Sequence, residues 1–476
     1  MDLPRVIIAD ESTQGTVPAG VLLLYALQRV GVDVKIFTCA RDEAEMRLLR
    51  LLFSQDIVSL DAYTCGGTDG IRALFQEAAS PSALNVILTP LCKQSDGNEY
   101  TEVRPEPLDM SRALSCGIVA VFSAMASSIL SSRAVMETLS AFSGTMQNNV
   151  LGIIFSSVRN IKEYQLLEQH IGRNTSLINL GHMSAELNRP MPFLPDLFNA
   201  SAGARLTQVK SAALQLASRR QIEWHAFQAF GRLYESWTGI SAPDSRPKGS
   251  FDPKDIRVAI VGDSLFSLEG ANAAKMFGAI GCSSVEDYNP LTQMFPGSAD
   301  LIYFPNSVVG LYADKLMNCA PFVNGVKNAM ASRKLMFING AFAPLFCKCF
   351  VGIDRKQYDG IGIFSCRGSY SAPVPDDGSK EGNVEVRGTD NSILTRRDEK
   401  LRGRYLSYVQ VSNPGNAETP LWAYRDARKD MERGYSGWQK ANCCLMTELN
   451  IETWSNVGVF NRLLTAYDQI KKRHHI

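Results

Sequence analysis

Acyl transfer through a thiol needs a cysteine on a sharp turn and a histidine beside it to take its proton. This chain of 476 residues has eleven cysteines but only five histidines: His170, His182, His225, His474 and His475. None lies between residues 250 and 473, so that stretch supplies no imidazole base of its own. Phosphoryl chemistry needs glycines whose backbone wraps the phosphate, a lysine for its charge and a Ser or Thr hydroxyl for Mg2+. Residues 1–60 hold one lysine, Lys35, in the wrong place for such a loop. The turn that should carry it reads Thr13-Gln14-Gly15-Thr16-Val17-Pro18. Cys347 and Cys349 form a Cys-x-Cys pair, but no second pair has metal-site spacing. They are expected to be core thiols inside a helix.

The elements that would position these groups follow from apolar periodicity. Arg5–Ala9 is a short buried strand, and Pro18–Val30 has helical spacing, with Pro18 near its start and Gly31 as its stop. Strands are expected at 33–39, 84–88, 118–122 and 150–155, with helical segments between them and a long helical closing segment over 206–234. Alternating strands and helices imply a parallel sheet covered on both faces. The stretch 238–255 is rich in Pro, Ser, Gly and charge and reads as a linker. The pattern then restarts, with strands at 257–261, 284–288, 301–304 and 334–338 and a helix at 269–280. Residues 373–400 are polar and rich in Gly and Asp, and read as a long exposed loop or a partly disordered insertion.

Composition narrows the class. A chain of this length is expected to form two or three domains. Its 45% hydrophobic and 20% charged residues are those of an ordinary globular protein. A net charge of +1 gives no bulk attraction to nucleic acid or to an anionic membrane. No apolar run reaches the roughly 18–20 residues of a membrane span. The N-terminal residues lack the pattern of a secretory signal. The odd, scattered cysteines are those of a reduced, cytoplasmic protein.

Several segments together resemble the cobyrinate a,c-diamide synthase family. These are glutamine-dependent, ATP-using amidases of tetrapyrrole carboxylates. The resemblance is carried in order by VIIADESTQGTVPAGVLLLYALQRVGVDVKIF, SLDAYTC, LGIIFSSVRNIKEYQLLEQHI, RPMPFLPD, RVAIVGDSLFSLEGANAAKMFGAIG and RGRYLSY. It implies an α/β chain of two doubly wound domains with mostly parallel sheets. The first, 1–237, would be like dethiobiotin synthetase, with a degenerate phosphate loop. After the 238–255 linker, 256–476 would be a class I glutamine-amidotransferase-like domain.

Each chemical station of that family is altered here. In the phosphate loop only Gly15 matches; Thr16 stands at the lysine position and Val17 at the Mg2+-ligand position. The family's two acids after the second strand fall on Asp42 and Glu45, and a third candidate ligand-binding acid is Asp61. The alternative is that Asp42, Glu43 and Glu45 are the solvated start of a helix. The family's metal-binding Glu falls near Thr89. The nucleophile position is Gly340, and the oxyanion glycines become Asn306 and Ser307. The catalytic histidine would lie within 445–452, where Glu448, Asn450 and Glu452 alternate and read as one face of a half-exposed strand.

The resulting expectation is a catalytically inactive homologue that acts as a binding, scaffold or regulatory partner. It would form a homo-oligomer, or a hetero-oligomer with an active relative or pathway enzyme, and the candidate ligand for its cleft is a tetrapyrrole or other carboxylated small molecule. No metal site, nucleic acid or membrane is expected. ATP and Mg2+ enter only under the competing reading, an active amidase or an enzyme with shifted chemistry.

Overall fold

A computed structural model describes residues 2–11, 15–39, 43–91, 106–124, 149–174, 177–198, 202–239, 252–262, 270–372, 382–427 and 431–474. The chain divides into two compact units, residues 1–60 with 78–240, and residues 61–77 with 241–476. Segment 61–77 lies early in the chain yet clusters with the C-terminal unit.

The first unit is built on a seven-stranded parallel sheet. Its strands are β1 (Arg5–Asp10), β2 (Val34–Thr38), β3 (Val58–Ser59), β4 (Leu84–Pro90), β5 (Gly117–Ser123), β6 (Val150–Val158) and β7 (Ile178–Ser184). The order is β3-β2-β4-β1-β5-β6-β7. β1, β4 and β5 are buried almost throughout, as strands covered on both faces must be. Helix α1 (Ala19–Arg29) follows β1 and buries Val21 to Leu27 without a break. In an open α/β sheet, ligands collect beyond the carboxyl ends of the strands where the winding changes direction. Here that place is the end of β1, flanked by β4 and β5.

The helical closing segment expected over 206–234 consists of two helices, Ala202–Ser218 and Trp224–Leu233. Between them Ile222 bridges Gly181 of β7 in antiparallel fashion. The His182 amide donates to the Gln221 carbonyl and the Glu223 amide to the Leu180 carbonyl. The Gln221 carbonyl approaches so closely that a Cβ at Gly181 would sit 1.9 Å from it. Edge pairing to β7 outcompetes helix continuation.

Among the described residues the second unit forms three sheets. The central one orders its strands Trp438–Lys440, Cys444–Thr447, Leu335–Asn339, Leu301–Phe304, Arg257–Val261 and Ser284–Tyr288. All pairs are parallel except the Trp438–Lys440 edge. A five-stranded antiparallel sheet runs Glu432–Ser436, Trp422–Asp426, Gly382–Gly388, Lys400–Tyr405, Asn450–Ile451. A four-stranded sheet comprises Gln357–Asp359, Cys347–Val351, Phe364–Tyr370 and Val409–Ser412.

Two expectations fail here. Cys347 and Cys349 lie on a strand, Cys347–Val351, because the preceding helix stops after one turn at Phe346. Nor is 373–400 simply an exposed loop. Residues 373–381 fall outside the described set, but Gly382–Gly388 is a strand with Val384 and Val386 fully buried. Thr395 is also buried, and its Oγ1 accepts the indole N–H of buried Trp422 at 2.7 Å. Thr395→Val leaves that donor unmatched and is expected to lower unfolding free energy by about 1–2 kcal/mol. Denaturant titration checks this, and an unchanged midpoint would refute it.

Candidate functional site

The C-terminal unit keeps the strand–turn–helix shape of a nucleophile elbow. The Leu335–Asn339 strand runs into a tight turn at Gly340–Phe342 and then a short helix, Ala343–Phe346. Gly340 takes φ +67°, the left-handed value that such a turn demands. Asn339 anchors the turn from below. Its Oδ1 accepts the Ile451 amide at 2.8 Å, and its Nδ2 donates to the Ile451 carbonyl at 2.9 Å and to the Tyr303 hydroxyl at 3.0 Å.

The space above Gly340 is filled. A Cβ on this residue would lie 2.5 Å from Asn306 Oδ1 and 3.0 Å from Asn306 Cβ and Cγ. The Ala341 amide, the one after the elbow, donates to Asn306 Oδ1 at 3.2 Å. The Gly340 amide donates to the Leu449 carbonyl at 3.1 Å. Two donors able to face an oxyanion are therefore satisfied from within the fold. The Asn306 carboxamide occupies the space that a side chain at residue 340 would need. Ser307 beside it is fully buried.

Glu448, Asn450 and Glu452 do not form a half-exposed face; all three are buried. The antiparallel sheet reaches this segment through the Asn450–Ile451 pairing with Gly403 and Arg404. Glu448 Oε2 accepts the Ser436 hydroxyl at 2.6 Å, and Ser436 Oγ lies 2.8 Å from Thr447 Oγ1. Burial pushes the Glu448 carboxyl up to about 7, although the Ser436 hydrogen bond opposes the rise.

In the N-terminal unit, residues 15–17 are clasped against 189–191. Thr16 bridges Pro190, the Val17 amide donates to the Arg189 carbonyl, and the Met191 amide donates to the Gly15 carbonyl, both at 2.8 Å. Pro18 has no N–H, and the Val21 amide turns back to the Pro18 carbonyl at 3.0 Å. The N-terminus of α1 is met by Asp10, whose Oδ2 accepts the Gly20 amide at 2.8 Å. Burial pushes the Asp10 carboxyl up to about 7; the Gly20 amide lowers it and the Glu11 charge raises it. Glu11, also raised by burial, accepts the Ser123 amide at 3.0 Å. These acids were not among the expected site residues. Two adjacent carboxylates at the mouth of a phosphate turn were the available signal.

The remaining candidates are placed one by one. Asp42 lies outside the described residues. Glu45 is half-buried on the helix Glu43–Phe53 of the first unit. Asp61 belongs to the second unit, where its Oδ1 caps the amides of Tyr63 and Thr64 at 2.9 Å and its Oδ2 meets Arg404 at 3.4 Å. Thr89 is buried at the end of β4. Among the described residues no group of three or more His, Cys, Asp or Glu could hold a metal ion. No described helix is long and apolar enough to cross a membrane.

No protein-family model matches the chain. Two solved structures resemble part of it, one of PurLQS from Thermotoga maritima and one of a glutamine amidotransferase. They are 12% and 11% identical, each with a TM-score of 0.31, and each match covers 45% of this chain and 98% of the other. Over 407 residues the chain is 20% identical to a cobyrinate a,c-diamide synthase from Herminiimonas arsenicoxydans, a match covering 85% of this chain and 84% of that one. The chain is thus similar, across most of its length, to an enzyme of that name.

Proposed function

We propose that this chain is a catalytically inactive homologue of cobyrinate a,c-diamide synthase, retained as a binding, scaffold or regulatory partner linked to tetrapyrrole metabolism. The observation that carries the reading is the Asn306 side chain seated over Gly340. No thiol stands at the elbow, and the elbow amides have internal acceptors. The other half supports the same reading. The turn at Gly15, Thr16 and Val17 does not suit the phosphates of ATP: the Val17 amide is already engaged, Pro18 offers none, and the Gly20 amide is held by the Asp10 carboxyl. On this reading the family's Mg2+–ATP is left to the competing one. A cytoplasmic setting accords with the described cysteines, all of which are free thiols.

The competing reading is an active glutamine- and ATP-dependent amidase. Its support is the similarity to the Herminiimonas protein over both halves. Glutaminase and ATPase assays on the purified chain separate the two. No turnover is expected, and ATP at millimolar concentration should leave the melting temperature unchanged. A ligand present at about 100 times its dissociation constant would add about 2.7 kcal/mol of stability. Glutamine hydrolysis that tracks with the protein, or an ATP-induced rise of several degrees, would overturn the inactive reading.

A further inference from the structure

The outer face of the five-stranded sheet carries positive charge that the reading above does not use. Along its three central strands Val384, Val386, Leu401 and Trp422 are buried on the inner side. Alternation and register place Glu385, Arg387, Lys400, Arg402, Arg404 and Arg425 on the other side. That is five cations and one carboxylate, in a chain whose net charge is only +1.

The counter-charges are shared. Glu385 serves both Lys400, at 3.0 Å, and Arg425, at 2.5 Å. Asp398 reaches Arg387 at 3.7 Å, with both side chains well exposed. Asp61 pairs with Arg404. Arg402 is different: its Nη1 donates to the Tyr63 carbonyl at 3.1 Å, and its guanidinium lies 5.1 Å from the Tyr63 ring centre. No ion pair to a carboxylate is found for it among the described residues. The Tyr63 hydroxyl is buried without a hydrogen-bond partner, within range of the charges of Arg402, Glu385, Arg425 and Asp61. A half-buried cation whose contacts are neutral and an orphaned hydroxyl donor therefore meet at one place.

Extent argues for a small occupant. Strands about 4.8 Å apart and about 3.3 Å per residue make the charged patch roughly 13 Å by 10 Å. A standard protein interface covers about 800 Å2 per partner. We propose that this face binds a small polyanion bearing two or more carboxylates or phosphates, with Arg402 and the Tyr63 hydroxyl as its inner contacts and Lys400, Arg387 and Arg425 as its rim. The exposed pairs to Glu385 and Asp398 are worth about 0–1 kcal/mol each, so an incoming anion rearranges them at little cost. The site stands apart from the inactive-enzyme reading: glutamine turnover would sink that reading and leave this face unaltered.

The test is calorimetric titration of the full chain at low salt with three probes, benzenehexacarboxylate, inositol hexakisphosphate and poly-glutamate. One or both small probes should bind, and the preference between them identifies carboxylate or phosphate as the natural group. Arg402→Gln should weaken binding about 10-fold or more and Tyr63→Phe about 3-fold, as lost charge-assisted and neutral hydrogen bonds respectively. Arg402→Lys should recover part of the loss, and Arg159→Gln, in the other unit, should change nothing. Arg425→Gln, at an exposed position, gives a second weakened variant should Arg402→Gln fail to fold. Three results would overturn the proposal: no binding of either small probe, binding indifferent to Arg402 and Arg425 changes, or poly-glutamate binding tighter than both, which would mark a protein-docking face instead.

Discussion

Gly340→Cys puts a thiol back at the elbow and is expected to yield a less stable chain with no glutaminase activity. The new Cβ meets Asn306 Oδ1 at 2.5 Å, and the backbone at φ +67° strains any residue with a side chain. Overpacking and backbone strain together should cost about 2–5 kcal/mol. Adding Asn306→Gly removes the obstruction, so the double variant should be more stable than the two single changes predict. The coupling should be about 1–3 kcal/mol, measured as a double-mutant cycle in denaturant. Even then no turnover is expected, because no histidine lies in 250–473 to deprotonate the thiol. A Gly340→Cys chain that melts like the parent, or one that hydrolyses glutamine, would show that Asn306 does not block the elbow.

Glu448→Gln should make the protein more stable at pH 8. The folded chain holds the Glu448 proton up to about pH 7, whereas an ordinary glutamate releases it near 4.5. Its contribution to stability is therefore greatest below about pH 4.5 and is lost as pH rises through 7. A rise of that size corresponds to about 3 kcal/mol at pH 8, where a buried carboxylate must carry its charge. Glutamine keeps the shape and an oxygen for the Ser436 hydroxyl but carries no charge. Urea unfolding at pH 8 should show a gain of about 2–3 kcal/mol, shrinking to within about 1 kcal/mol at pH 5. A variant weaker than the parent at pH 8 would mean that the carboxylate is compensated by its surroundings.

Much of the frame was legible in the sequence because strand and helix periods are local. Leu301–Phe304, Arg257–Val261 and Ser284–Tyr288 stand where their apolar runs put them. That residue 340 carries no nucleophile was legible too, since a glycine has no side chain in any fold. What fills their places was not. Asn306 reads as a substitution for a glycine, and only the approach of two parallel strand ends brings its carboxamide onto residue 341. The alternation of Glu448, Asn450 and Glu452 is the period of a strand with one wet face. Nothing in it tells that Asn450–Ile451 pairs with a second sheet and that all three side chains are buried. Gly- and Asp-rich composition hid the Gly382–Gly388 strand, whose inward valines are only two residues. The break between 218 and 224 depends on an edge strand, β7, that lies some forty residues earlier in the chain.

The carboxylate of Asp10 on the first amides of α1 has a consequence for the living cell. A nucleotide-binding protein draws part of its stability from its ligand, so its folded fraction follows the nucleotide pool. Here the helix terminus is met by a covalently tethered carboxyl, which holds the Gly20 amide whatever the nucleotide pool. The abundance of this chain should be insulated from swings in energy charge that would thin out a phosphate-binding relative.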